Sequence, residues 1–210
     1  MEDRALWTLC GDVFYDGSCI QRGSNELSRA TWVAIQIDTE NKVVACVSGP
    51  VWGSLLQSAH AAEHCARAAA VQLLSGPSLF IGDSKNIVEH AKRPLAKASC
   101  RSRMHAAASR MVACSPSAEH IIKDLWARAH RKLENETDAW DRYTAIGNEF
   151  ADAETVVAQA RLGHEGTPQL KAVGAAKERA RAICQAIGII ASLLPLAKQA
   201  CGTAERAPEL

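Results

Sequence analysis

Leu6-Trp7-Thr8-Leu9-Cys10-Gly11-Asp12-Val13-Phe14-Tyr15-Asp16-Gly17-Ser18 is the stretch on which the reading of the chain turns. It is apolar and aromatic up to Tyr15 and stops at Asp-Gly-Ser, a turn signal, so it predicts a strand that ends on a carboxylate. An acid at the carboxyl end of a strand sits where α/β sheets commonly bind ligands. Outward from there, Thr31 to Ile37 has β-formers at alternate positions and predicts strand 2. Polar Asp38-Thr39-Glu40-Asn41 is a hairpin-length link, and Val43 to Val47 predicts strand 3, closed by Gly49-Pro50. These three form an antiparallel meander.

From Gln57 to Leu74 the composition changes to Ala, Leu, Gln and Arg, which predicts a helix stopped by Gly76-Pro77. Leu79-Phe80-Ile81 reads as a short buried strand 4. Ser84 can cap a helix from Lys85 to Lys92 that Pro94 ends, and a further Ala-rich helix is expected over 101–114. Strand 5 lies within Ile121 to Ala129, and Trp126 is expected in the core. Residues 131–145 are polar and charged and read as a long loop, and Asn148 to Arg161 reads as a helix. The order β-β-β-α-β-α-α-β-α describes a mixed sheet with helices on its faces. Beyond it, Gly163 to Pro168 is a linker, and Gln169 to about Ala200 is helical with a break near Gly188 or Pro195. The expected division is 1–161 for the α/β domain and 162–210 for a helical C-terminal extension.

The 210 residues are 48% apolar and 22% charged, enough to bury a core. A formal charge of +1 excludes a uniformly basic protein, so any nucleic-acid contact must come from a local patch. Met1-Glu2-Asp3-Arg4 does not resemble a secretory leader. The uncharged run Ala182 to Ala197 is shorter than the roughly 20 residues a bilayer requires, so no membrane contact is expected. Eight cysteines without a C-x-x-C pair suggest reduced thiols in an intracellular protein.

Four acids fall at ends of these elements: Asp16 after strand 1, Glu63 within the first helix, Asp83 after strand 4, and Asp152 in the last helix of the domain. If strands 1 and 4 are parallel neighbours, Asp16 and Asp83 emerge side by side. Clustered carboxylates repel one another without cations, and hard oxygen ligands suit Mg²⁺ or Mn²⁺. Taken singly, each acid is more simply a solvated cap or a helix-surface charge.

The local sequences favour the cluster. Phe14-Tyr15-Asp16-Gly17-Ser18, Gln57-Ser58-Ala59-His60-Ala61-Ala62-Glu63, Ile81-Gly82-Asp83-Ser84 and Gly147-Asn148-Glu149-Phe150-Ala151-Asp152 together resemble the motifs of the type 1 ribonuclease H family, in the family's order, over about residues 6–161. The resemblance implies a ribonuclease H-like five-stranded mixed sheet, three strands antiparallel and then two parallel, flanked by helices. It implies an endonuclease cutting the RNA strand of RNA–DNA hybrids, with two Mg²⁺ ions per site and Mn²⁺ as substitute. Asp16, Glu63, Asp83 and Asp152 would be the metal-binding carboxylates; Glu149 competes with Asp152 for the last place. His130 would be the histidine of the mobile loop after strand 5. His60 and His64 flank Glu63 and either orient it or face solvent.

By the same resemblance Gly17 and Ser18, with Lys92, Arg93, Arg101 and Arg103 of an acid-free basic stretch, would contact the hybrid. Basic side chains can hold phosphates without reading sequence. The chain departs from the family pattern at Tyr15 and at Gly82, where Thr is usual, and in the length of the loop before Asn148. The alternative function is a catalytically inactive module of this fold that binds hybrid or protein within a larger assembly. The C-terminal extension, outside the resemblance, is the candidate surface for a protein partner.

Overall fold

A computed structural model describes residues 8–20, 28–53, 55–100, 103–162 and 168–193. The chain divides into two compact units, 1–167 and 168–210. In the first, strands β1 (Leu9–Ile20), β2 (Arg29–Ile37), β3 (Val43–Pro50), β4 (Leu74–Gly82) and β5 (Ile121–Trp126) form one sheet in the order β3-β2-β1-β4-β5. β1 pairs antiparallel with β2, as β2 does with β3, whereas β1–β4 and β4–β5 are parallel. The expected mixed sheet is therefore present, and β1 lies at its centre.

Helices α1 (Ala59–Gln72), α2 (Lys85–Ala91), α3 (Leu95–Ala98), α4 (Ala106–Cys114) and α5 (Ala139–Arg161) complete this unit. Alternation along β1 sends successive side chains to opposite faces. Val13 and Tyr15 pack with Ala66, Ala70 and Val71 of α1. Phe14 packs with Ala151 and Ala158 of α5. The core is thus two apolar layers, one on each face of the sheet.

Several boundaries differ from the sequence reading. Gly76-Pro77 does not stop α1; it lies inside β4, which begins at Leu74. The helix ends at Gln72 with Leu73 as its cap. The β1–β4 ladder jumps from Leu9↔Leu74 to Gly11↔Ser78, and this irregularity accommodates a proline that cannot donate to a ladder. α5 starts nine residues earlier than expected, because the Asp138 side chain accepts the N–H groups of Trp140 (2.9 Å) and Asp141 (3.0 Å) and caps it. The long loop shrinks accordingly to 127–138. The helix expected over 101–114 begins at Ala106, and a single turn, α3, follows Pro94. β3 runs on to Pro50, where the missing side chain of Gly49 makes room for the Trp32 indole.

The second unit contains α6 (Pro168–Leu193), continuous through Gly188; Pro195 lies outside the described residues. Ile183 and Ile187 are exposed on it. No described helix is long and apolar enough to cross a membrane. No disulfide links the described cysteines.

Candidate active site

Tyr15 and Gly82 are the last pair of the parallel β1–β4 ladder, so the residues that follow them, Asp16 and Asp83, lie side by side where that ladder ends. β1 itself does not stop at Asp16-Gly17-Ser18 as expected from the turn-like sequence; pairing with β2 carries it on to Ile20. α1 supplies the third carboxylate. The Ser58 hydroxyl caps this helix by accepting the Ala61 N–H at 3.1 Å. The Gln57 side chain accepts the Ala30 N–H at 3.1 Å and so fastens the helix entrance to β2. Gly17 lets α1 lie directly on β1: a Cβ there would stand 2.3 Å from the Glu63 backbone nitrogen. One carboxylate oxygen from each of Asp16, Glu63 and Asp83 consequently falls within 4.8 Å of the others.

Asp152 comes from the opposite face. A Cβ on Gly147 would sit 2.3 Å from the Phe14 ring, so only glycine lets α5 approach the sheet this closely. Asp152, five residues on, reaches Asp16 closely enough to hydrogen-bond with it and adds its charge to the field at Asp83. His130 has φ +50° and turns its Nδ1 to within 3.6 Å of Asp152 Oδ2. All five expected catalytic positions thus converge on one end of the sheet.

Electrostatics at the cluster follow from burial and like charge. Burial first, and then Asp83, push the Asp16 carboxyl up to about 8. Burial also pushes Glu63 up to about 7, against a hydrogen bond from Ser84 that opposes the shift. Asp83 is raised by burial and by Asp152, with His130 opposing. The Glu63 Oε2 atom is buried and has no hydrogen-bond partner among the described residues. Recessed, mutually repelling carboxylates with an orphaned acceptor are what divalent cations stabilise, so the donor set fits hard ions such as Mg²⁺ or Mn²⁺.

No protein-family model and no curated protein matches the chain. Solved structures do. The prototype foamy virus protease–reverse transcriptase aligns with 70% of the chain at 22% identity and a TM-score of 0.54. The ribonuclease H domain of the same virus aligns with 71% of it at 20% identity and a TM-score of 0.52. The chain has the ribonuclease H fold. It spans 20% of the foamy virus protease–reverse transcriptase but covers 96% of the isolated domain. At these identities the likeness establishes fold alone.

On this ribonuclease H fold the remaining expected residues are distributed unevenly. Gly17 is buried beneath α1, and Ser18 is half-buried beside it. Lys92, Arg93 and Arg103 are exposed, with Lys92 paired to Glu89 at 2.8 Å; Arg101 lies outside the described residues. His60 and His64 do not orient Glu63. His64 stacks on His105 at 4.4 Å, and His60 packs edge-on to both rings.

Trp126 is not a core residue. It is 45% exposed at the end of β5, donates its indole N–H to the Asp83 carbonyl at 2.8 Å, and carries the Lys85 ammonium over its ring. Two contributors escaped the sequence reading. Ser84 was read as a helix cap; it stands at the N-cap position of α2, but its side chain makes no capping bond and serves Glu63 instead. Arg131 fastens the 127–138 loop by pairing with Glu136 (3.2 Å) and Asp141 (2.8 Å). That loop and α5 enclose a cavity of about 590 Å³ lined by His130, Asn148, Glu149 and Asp152. The acids at 136 and 141 were visible in the sequence, but their partner was not.

Proposed function

We propose that the chain is a metal-dependent nuclease that hydrolyses the RNA strand of RNA–DNA hybrids, leaving 3′-hydroxyl and 5′-phosphate ends. The observation that carries this reading is the convergence of Asp16, Glu63, Asp83 and Asp152 where the parallel β1–β4 ladder of a ribonuclease H fold ends. Foamy viral protease–reverse transcriptases of similar fold were solved with an RNA/DNA hybrid (17% identical, TM-score 0.52, 73% of this chain and 20% of that one) and with dsDNA (18% identical, TM-score 0.51), which supports a nucleic-acid substrate.

Asp16, Glu63, Asp83 and Asp152 would hold two Mg²⁺ ions, with Mn²⁺ as substitute. Bound there, the ions supply an activated water and neutralise charge on the reacting phosphodiester. The protein's own share is placement. Asp16 and Asp83 are fixed by adjacent strands, Glu63 by the close seat of α1 on Gly17, and Asp152 by the close seat of α5 on Phe14. Glu63 would also meet the ribose 2′-hydroxyl, the group that separates RNA from DNA. His130, with Nδ1 toward Asp152, would use Nε2 to exchange a proton with the departing 3′ oxygen. Arg93 and Arg103, exposed and outside the carboxylate cluster, would hold backbone phosphates of the hybrid.

The test is cleavage of end-labelled RNA–DNA hybrid, duplex RNA and duplex DNA in Mg²⁺, Mn²⁺, Ca²⁺ and EDTA. Cutting of the hybrid's RNA strand alone, in Mg²⁺ or Mn²⁺ alone, is the expected result. Binding of hybrid without cleavage in either active metal would establish an inactive module instead.

A further inference from the structure

The back of α1 carries a second group of side chains that the nuclease reading leaves without a task. His60 and His64 are one turn apart on α1, His105 stands at the start of α4, and His90 lies in the last turn of α2. One ring nitrogen from each of His60, His64 and His105 lies within 4.8 Å of the others. The His90 ring is 5.3 Å from that of His64. His105 is 6% exposed, and neither of its ring nitrogens has a hydrogen-bond partner among the described residues. A buried polar group left without a partner loses its hydration and gains nothing in return. Three clustered imidazoles, one with both nitrogens unpaired in the interior, are an expensive arrangement if packing is their sole role.

We propose that His60, His64 and His105 form a second metal site, selective for a nitrogen-preferring divalent transition ion of the Zn²⁺ class and separate from the carboxylate cluster. Imidazole suits such ions, whereas Mg²⁺ prefers oxygen. Two histidines four residues apart share a helix face and can ligate one ion, the spacing also found in His-x-x-Glu-His zinc sites. In those sites the glutamate acts as the base. Here the intervening acid, Glu63, is turned to Asp16 and Asp83, so the site is built for holding rather than for hydrolysis.

Tetrahedral ligation at about 2.05 Å per bond puts the nitrogens roughly 3.3 Å apart, so the rings must close in and His105 must rotate out of its stack on His64. A cavity of about 280 Å³ beside them, into which Glu89 and His90 also face, leaves space for that movement and for a fourth ligand. Arg93 and Arg103 line the same cavity and oppose a cation there; Glu89 offsets part of their charge. An ion so held would clip α4 to the helix that carries Glu63.

The test is titration of Co²⁺ into the full chain with Mg²⁺ in excess, read by visible absorption, with Zn²⁺ as competitor. The expected result is one equivalent bound with the strong bands of a four- or five-coordinate nitrogen site, displaced by Zn²⁺. Binding should be unchanged in Asp83→Asn. It should weaken at least about tenfold in His60→Gln, at an exposed position that does not threaten folding, and in His105→Gln. Unchanged binding in both histidine variants would overturn the proposal. So would loss of binding in Asp83→Asn, or a near-ultraviolet cobalt–thiolate band, which would place the ion on carboxylates or on cysteines. Because the readout is metal affinity, failure here would leave the nuclease reading intact, and failure of hybrid cleavage would leave this one intact.

Discussion

Tyr15 occupies the space that a side chain at Gly82 would fill. The two residues face each other across the β1–β4 ladder, and a Cβ on Gly82 would stand 2.5 Å from the phenol ring. Both departures from the motif pattern, an aromatic ring where Thr is usual and a glycine where Thr is usual, are therefore one compensated exchange. It leaves Asp16 and Asp83 in register. The phenol is 2% exposed, and its hydroxyl lacks a hydrogen-bond partner among the described residues, lying near the Arg67–Asp124 pair.

The first prediction follows from that pairing. Gly82→Thr alone overpacks the site and should cost about 1–3 kcal/mol. Tyr15→Thr alone opens a cavity and should cost about 3–5 kcal/mol. The double variant should cost clearly less than the sum, since contacting residues do not add. Urea denaturation of the four proteins measures this, and strict additivity would refute the compensation.

Gly17→Ala should be the most damaging small substitution at the site. The added methyl would meet the backbone nitrogen of Glu63 and the carbonyl carbon of Ala62, not a flexible side-chain tip. α1 must then lift from β1 and take Glu63 away from Asp16. A loss of at least about 3 kcal/mol is expected in denaturation, in the upper range for a single substitution. Hybrid cleavage should fall even at temperatures where the variant remains folded.

The strands and the four clustered acids were legible where each rests on local chemistry: an apolar and aromatic β-run through Phe14-Tyr15, an Ala-rich helix carrying Glu63, an apolar run before Asp83 and a helix carrying Asp152. The end of β1 was not, because pairing with β2 carries it through Gly17-Ser18 to Ile20. What escaped the sequence depends on distant partners. Gly76-Pro77 reads as a breaker, yet an irregular β1–β4 ladder absorbs it. Residues 139–145 read as loop because they are mostly polar, yet α5 needs an apolar contact on one side alone, and its close approach at Gly147 to Phe14 supplies it. Trp126 reads as core, yet its indole N–H serves the Asp83 carbonyl at the surface. The histidines at 60, 64, 90 and 105 belong to three helices, and their meeting could not be read from spacing.

Arg67 and Asp124 form the third test. The guanidinium of α1 binds the β5 carboxylate with two bonds, 2.7 and 2.9 Å, and both side chains are nearly buried. Arg67 is one turn beyond Glu63, so this pair ties the helix that carries Glu63 to β5. Removing one partner strands the other charge, and Arg67→Met should cost about 3–5 kcal/mol. Arg67→Met with Asp124→Leu should recover much of that stability, because the stranded charge is gone. If the double variant is stable but slow on hybrid at saturating substrate, the pair positions Glu63 as well as holding the fold.

Metal removal provides the fourth. In the metal-free protein Asp16, Glu63 and Asp83 all hold their protons to higher pH than in the unfolded chain. Where a folded-state pKa lies above the unfolded one, the folded protein binds more protons, so stability is present at low pH and is lost as pH rises. For Asp16 that window runs from about 4 to about 8. In EDTA, melting temperature should therefore fall across this range, beyond what the rest of the protein imposes. Asp83→Asn removes one charge while keeping the shape. In EDTA it should be no less stable than the parent, and its decline with pH should be shallower. With Mg²⁺ in excess the parent should gain stability, because an ion that binds the folded state alone stabilises it by mass action. The variant should gain less and should lose nearly all cleavage. Thermal melts of both proteins at several pH values, with Mg²⁺ and with EDTA, decide the matter. A variant clearly destabilised in EDTA that still gains as much from Mg²⁺ as the parent would make Asp83 a structural cap and move the metal elsewhere.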